Sequence, residues 1–412
     1  MSSARPRSLS KPRHLHLSDV RGLHRLASDA TVGITDLVEA MHRTILRVPG
    51  PFGTPATGRT RGITGLVYKS VRGVTRVVRG SVDTLLGIIA PLIAERPSSQ
   101  HREAVLAALN GVFGDYLLES ANPLAIPMRL RKEGVPLTLS SAGLAAAFPT
   151  PARGVLVLVH GLCLNDLEWN RNGHDHGAAL ARDLGFAPVY GHYNTGRHIS
   201  ANGRELADTL ESLVRAWPYP IERVAIVGHS MGGLVARSAC HYAGLAGHRW
   251  LTRLDDLVFL ATPHLGAPLE RAGAWVDYLV GISPYTAPFA RLGKSRSAGI
   301  KDLRHGDIRD EDWQTPAARG AHTARTLLPL PAGVRCYAVA ASRQEHPGAS
   351  MSRTRSDGLV PVASALGRGR DHAATLHLPE AHCRVMYGAG HFDLLDRSDV
   401  YLALRRWLAA GA

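Results

Sequence analysis

A serine, an aspartate and a histidine, in that chain order and each within two residues of a glycine, give this chain the parts of a nucleophilic catalyst. The serine is Ser230. It stands in Val224-Ala225-Ile226-Val227-Gly228-His229-Ser230-Met231-Gly232-Gly233, where four apolar residues run into Gly-x-Ser-x-Gly. Leu234, Val235, Ala236 and Ala239 continue the segment as helix-compatible residues. The pattern predicts strand, tight turn and helix, with the serine strained at the turn and Gly228 and Gly232 letting strand and helix pass close by. A serine hydroxyl is a weak nucleophile until a base takes its proton, and the base needs an acid to orient it.

The expected base is His391, in Gly388-Ala389-Gly390-His391-Phe392-Asp393-Leu394-Leu395, a glycine-rich loop between a short strand and the last helix. The expected acid is Asp357, in Arg355-Ser356-Asp357-Gly358-Leu359-Val360-Pro361, 34 residues before His391. Glu345, in the same connection, and Asp393 are its rivals, and Asp393 is too close in sequence to His391 for the usual geometry. A tetrahedral intermediate also needs an oxyanion hole. One backbone N–H comes from the residue after the nucleophile, Met231, and the other from the loop His160-Gly161-Leu162-Cys163, which makes Leu162 the second donor. The side chain of His160 reads as structural.

These pieces resemble the α/β-hydrolase lipases and esterases, in the branch similar to GPI inositol-deacylase-like lipases. The resemblance is carried by Val159-His160-Gly161-Leu162, Gly228-His229-Ser230-Met231-Gly232-Gly233, Thr262-Pro263-His264-Leu265-Gly266, Ser356-Asp357-Gly358-Leu359-Val360-Pro361 and Gly390-His391-Phe392. It spans residues 159–392 and implies that Ser230, Asp357 and His391 are the triad and that Leu162 and Met231 form the oxyanion hole. Many relatives carry Gly where Ser356 precedes the acid. Tyr193-Asn194-Thr195-Gly196 also resembles bacterial esterases of this type, with no role attached to it.

Elements to position such a site follow from the pattern. From residue 154 onward strand and helix signals alternate. Strands are expected at 155–159, 187–190, 224–227, 257–261, 336–340 and 384–387, and helices at 177–184, 203–214 and 400–408. This predicts an α/β-hydrolase fold, a doubly wound, mostly parallel sheet, for a catalytic domain over 126–412. Residues 265–333 lack strand signals and read as a cap or lid insertion. Trp275, Val276, Tyr278, Leu279, Val280, Ile282 and Phe289 would supply its apolar walls. A short strand is expected at 137–139.

Ahead of the domain lies a helical N-terminal extension. Residues 1–20 read as a disordered basic tail, 21–48 and 101–120 as helices, and 49–61 as a linker. In 63–83, Ile63, Leu66, Val67, Val71, Val74, Val77 and Val78 follow helical spacing, and Lys69, Arg72, Arg76 and Arg79 take the complementary positions. Such a helix either lies on an anionic membrane or packs on the hydrolase domain with its arginines in water.

Composition bounds the rest. The chain has 412 residues, 45% apolar and 20% charged, enough for a large globular core. Of its net charge of +14, residues 1–80 carry +10, from 14 Lys/Arg against 4 Asp/Glu. With no helix-turn-helix, zinc-finger or RNA-binding signature, nucleic acid is not an expected partner. Cys163, Cys240, Cys336 and Cys383 are scattered, as free thiols of a reducing compartment would be. Arg5, Arg7, Lys11 and Arg13 precede no apolar core of a signal peptide, and the most apolar stretch, 85–94, is broken by Gly87 and Pro91 and too short to cross a bilayer. A cytoplasmic location follows, peripheral to a membrane if residues 63–83 dock on one. His174-Asp175-His176, His192 and His198 match no zinc template, so neither metal nor cofactor is expected.

The functional expectation is a serine hydrolase cleaving carboxylic esters of apolar acyl groups through an acyl-enzyme. An acyltransferase on the same triad, a lipid-surface binding protein with a non-catalytic hydrolase scaffold, and haloperoxidase-like or C–C hydrolase chemistry on the same fold are the alternatives.

Overall fold

The computed structural model describes residues 16–47, 62–89, 99–267, 297–314, 327–346 and 356–409. Residues 1–15 of the expected basic tail, the linker and most of the cap, including Trp275, Val276, Tyr278, Leu279, Val280, Ile282 and Phe289, lie outside these; the last part of the expected tail, from Leu17, is helix and not a disordered segment. The chain divides into two compact units, Met1–Arg102 with Leu117–Ala125, and Glu103–Tyr116 with Ile126–Ala412.

The first unit is dominated by two long helices, α1 (Leu17–Arg47) and α2 (Gly62–Ile89). They are tied by charge. Arg72 of α2 donates to Glu39 at 2.6 Å and to Asp36 at 2.7 Å on α1. Arg79 pairs with Asp29, and Asp83 accepts from Arg21 and Arg25. The third helix, α3 (Gln100–Glu119), contributes Glu103–Tyr116 to the second unit.

The second unit holds one eight-stranded sheet, ordered β2-β1-β4-β3-β5-β6-β7-β8. In chain order its elements are β1 (Arg129–Lys132), β2 (Val135–Pro136), α4 (Ser141–Ala147), β3 (Gly154–Val159), α5 (His176–Leu184), β4 (Phe186–His192), α6 (Ile199–Ala216), β5 (Arg223–His229), α7 (Met231–Ala246) and β6 (Leu254–Leu260). There follow α8 (Ala298–His305), α9 (Asp310–Gln314), β7 (Arg335–Ser342), α10 (Val362–Ala365), β8 (Cys383–Tyr387) and α11 (Ser398–Ala409). Strands β3 to β8 pair in parallel, and β1 runs antiparallel to β4. This is the α/β-hydrolase architecture expected, with the helical extension before it.

Both faces of the sheet are covered because its central strands are apolar throughout, not alternately. Val155, Val157 and Val159 of β3 point to one side, where they join Leu206 and Leu210 of α6 and Leu234 and Val235 of α7. Leu156 and Leu158 point to the other, with Leu180 of α5 and Val400, Leu404 and Leu408 of α11. Two cores, one per face, hold the strand ends in register.

One expected element is corrected. Residues 137–139 are not a strand. The strands lie just before them, in a hairpin of β1 and β2 turned by Glu133 and Gly134, whose φ values of 51° and 77° suit a tight two-residue connection. Leu137 N still donates to Leu130 O at 2.8 Å, and the pairing goes no further. Ser140 then caps α4, accepting from Gly143 N.

Candidate active site

The carboxyl ends of β3, β5, β6 and β7 meet where the candidate residues fall. Strand β5 is buried along its whole length and ends at His229, and α7 begins at Met231. Ser230 alone makes the connection. Its φ of 54° and ψ of −123° are strained for any residue with a side chain, at a cost of about 1–3 kcal/mol. The surroundings hold it there. Ser230 N donates to Leu260 O at 2.8 Å, and a Cβ on Gly232 would come within 2.1 Å of Val159 O. The glycine is therefore demanded by the strand-to-helix crossing, as the sequence pattern implied.

His391 and Asp357, far apart in the chain, are brought together. His391 Nδ1 donates to Asp357 Oδ2 at 2.7 Å, and both side chains are buried. The other carboxylate oxygen accepts from Leu359 N at 2.8 Å and Val360 N at 2.7 Å. Asp357 is thus fixed as an acceptor, and His391 is fixed in the tautomer that leaves Nε2 as the basic nitrogen. The rivals do other work or none here. Asp393 Oδ2 accepts from Gly390 N at 2.7 Å and braces the histidine loop, and Glu345 is exposed.

His229, immediately before the serine, adds a link the sequence did not reveal. Its Nε2 donates to His391 O at 3.2 Å, so the nucleophile turn and the base loop are joined directly. Burial, with the nearby His391 ring, holds the His229 imidazole well below its usual pKa and therefore neutral.

The loop after β3 lies against the serine. A Cβ on Gly161 would sit 3.0 Å from Ser230 Cβ, so the segment carrying Leu162 passes directly over the elbow. Met231, the other expected oxyanion donor, opens α7. The Tyr193-Asn194-Thr195-Gly196 segment, which carried no role in the sequence, holds this loop. Tyr193 Oη donates to His160 O at 2.7 Å and its ring stacks on the His160 ring. Thr195 Oγ1 accepts from Cys163 N at 3.1 Å. Cys163 itself has a φ of 58°, so the loop needs such ties. The His160 side chain lies against Gly161 O at 2.9 Å, and burial drives its pKa down to about 3. It is a neutral structural group, in keeping with its reading.

The histidines that invited a metal reading have protein partners. His176 Nε2 donates to Leu394 O at 2.9 Å, and its Nδ1 lies 2.9 Å from His174 Nε2. His198 donates to Asp302 and stacks on Trp313. Among the described residues, Glu103, Asp166 and His192 offer three ligand atoms within 4.8 Å of one another. Arg131 Nη1 stands at 2.8, 2.7 and 3.4 Å from these same groups, so a guanidinium supplies the positive charge there.

An eight-stranded sheet of this order, with a strained serine between β5 and its helix, decides the fold. It is the α/β-hydrolase fold. Within the hydrolase unit, residues 154–324 match the PGAP1-like alpha/beta domain family, a match that includes Ser230 and ends before Asp357 and His391. No curated protein matches the chain. Among solved structures the chain is similar to the mature lipase BlEst2 of Bacillus licheniformis, at 18% identity and a TM-score of 0.39, over 63% of this chain and 93% of that one. It is also similar to a malate-bound thermophilic esterase of Thermogutta terrifontis, at 16% identity and a TM-score of 0.35, over 63% and 91% of the two chains.

Proposed function

We propose that the chain is a serine hydrolase acting on carboxylic esters through an acyl-enzyme. The observation that carries this reading is the buried Asp357–His391 hydrogen bond, reached from a histidine loop that His229 ties to the strained Ser230 turn. His391 Nε2 takes the Ser230 proton as Oγ attacks the ester carbonyl. Asp357 stabilises the imidazolium that forms. The carbonyl oxygen, now negative, accepts from the N–H groups of Met231 and Leu162. His391 then gives its proton to the leaving alcohol, and Ser230 is left acylated. Water attacks the acyl-enzyme with His391 again as base, which restores the serine and releases the acid. The sequence of the cap, with Trp275, Tyr278, Leu279 and Phe289, is apolar enough to suit an apolar acyl group.

Hydrolysis of p-nitrophenyl esters of graded chain length tests this, with labelling by a fluorophosphonate alongside. The wild type is expected to turn over and to label at Ser230, and Ser230→Ala to lose the label and at least about 10⁴-fold of the turnover. A folded wild type that neither labels nor turns over any ester would overturn the proposal.

A further inference from the structure

The first unit carries its polar and apolar sides exchanged. On α2, Leu66, Val67, Val71, Val74, Val77 and Val78 are all exposed, Val77 to 69% and Leu66 to 63%. By helical spacing they form one stripe, about 18 Å long from Leu66 to Val78. Arg72, Arg79 and Asp83 occupy the opposite side and face α1. Arg72 is 2% exposed and paired with the equally buried Glu39, while Arg79 and Asp83 pair further along. Helix α1 repeats the pattern. Its Val20, Leu23 and Ile34 are exposed on one side, and its Glu39 is buried on the other.

In water this arrangement is unfavourable twice over. Apolar side chains stand in solvent, and the Arg72–Glu39 ion pair is withdrawn from it. Both penalties fall if the medium around the helices is itself apolar, where charges must find partners inside and aliphatic groups belong outside. No helix among the described residues is long and apolar enough to cross a membrane, so the geometry fits helices lying in an interface. Charge selects the kind of interface. Residues 1–80 hold 14 Lys/Arg against 4 Asp/Glu, which attracts an anionic headgroup layer and would repel a second copy of the same segment. Lys69 and Arg76, both exposed, lie between the α1-facing side of α2 and its apolar stripe, where long side chains can reach phosphates.

We infer that α1 and α2 form a docking surface for an anionic lipid layer. The apolar stripes enter the acyl boundary, and Lys69 and Arg76 lie at the headgroups. The docking is separate from ester chemistry, so it can be read without turnover and stands or falls independently of the proposed reaction.

The experiment is flotation of the full chain with vesicles of phosphatidylcholine alone and of phosphatidylcholine mixed with phosphatidylglycerol. The wild type is expected to float with the mixed vesicles and to be released by salt. Val74→Asp/Val78→Asp, checked for retained helix by circular dichroism, is expected to partition at least about tenfold more weakly. Lys69→Gln/Arg76→Gln is expected to lose the preference for anionic vesicles. If the double aspartate variant loses helix, Val77→Gln at the most exposed position supplies the same direction of change. Failure of the wild type to float, equal flotation of a folded stripe variant, or a wild-type dimer that the stripe variant dissociates without lipid would each overturn the docking proposal. The last result would give the surface to a second copy of the chain.

Discussion

The two units solve burial in opposite ways. In the hydrolase unit the aliphatic residues of β3, β5 and β6 are buried on both faces of the sheet, and around the site Asp357, His229 and Tyr193 are buried with specific hydrogen-bond partners. In the helical unit the Arg72–Glu39 ion pair is inside and the valines of α2 are outside. The first pattern makes a rigid frame, because dense apolar packing fixes where strand ends stand and therefore where the Ser230 turn and the Asp357–His391 pair are held. The second makes a surface whose stability depends on what lies against it.

The comparison is broken most sharply at the rigid site. Asp357→Asn removes the charge that fixes the His391 tautomer and leaves the shape nearly intact. Turnover of a short soluble ester should fall about 10⁴-fold while the unfolding midpoint stays close to the wild type. A fall of only a few fold would mean that another group orients His391. Next come the ties on the oxyanion loop. Tyr193→Phe and Thr195→Val each remove one hydrogen bond to the segment carrying Leu162. Each should lower kcat about ten- to a hundredfold with little change in KM, since the interaction at stake forms in the transition state. Loss in KM alone would make these residues binding groups and not braces for the loop.

How far the sequence reached follows the same division. Ser230, Asp357 and His391 could be picked out because each sits in a short motif whose glycines have a local purpose, and β3 and β5 because buried parallel strands are apolar without alternation. The β1–β2 hairpin went unseen. Arg129-Leu130-Arg131-Lys132 reads as solvated, yet Arg131 is buried against Glu103, Asp166 and His192, which lie 28, 35 and 61 residues away. Charge at a buried position is legible only when its partners are, and these come from three separate segments. The bracing role of Tyr193 and Thr195 was hidden for the same reason. For α2 the periodicity placed the basic and apolar sides correctly but could not say which of them faces α1, because that is decided by Asp29, Asp36 and Glu39 on another helix.

The frame itself can be probed with acid. Burial holds His160 near a pKa of about 3 and His176 near about 4, and keeps His229 and His264 well below the usual value. In the unfolded chain all four return to about 6.5. Between those values the unfolded state binds protons that the folded state does not, so stability is fully present above about pH 6.5 and is lost as pH falls toward the folded values. Each group contributes a slope of at most about 1.4 kcal/mol per pH unit. Urea unfolding from pH 7.5 to 5 should show this decline, and His176→Gln should make it shallower. A flat stability over that range would mean that the four rings are not held neutral.

The smallest effects are expected in the helical unit, and they separate its interior from its rim. Arg72→Met leaves Glu39 buried without its cation, whereas Arg79→Met leaves Asp29 one-fifth exposed and able to recover water. The rim pair should therefore be worth about 0–1 kcal/mol, as exposed pairs are, and the interior pair distinctly more. Thermal unfolding followed by circular dichroism checks the order, and turnover of a soluble ester should be unchanged in both variants. Adding anionic vesicles should raise the unfolding temperature of the Arg79→Met protein, because a lipid layer rewards the exposed stripe that this substitution leaves in place. Equal destabilisation by the two substitutions would mean that the ion pairs of α1 and α2 are all solvated. The inverted packing that distinguishes this unit from the hydrolase unit would then not hold.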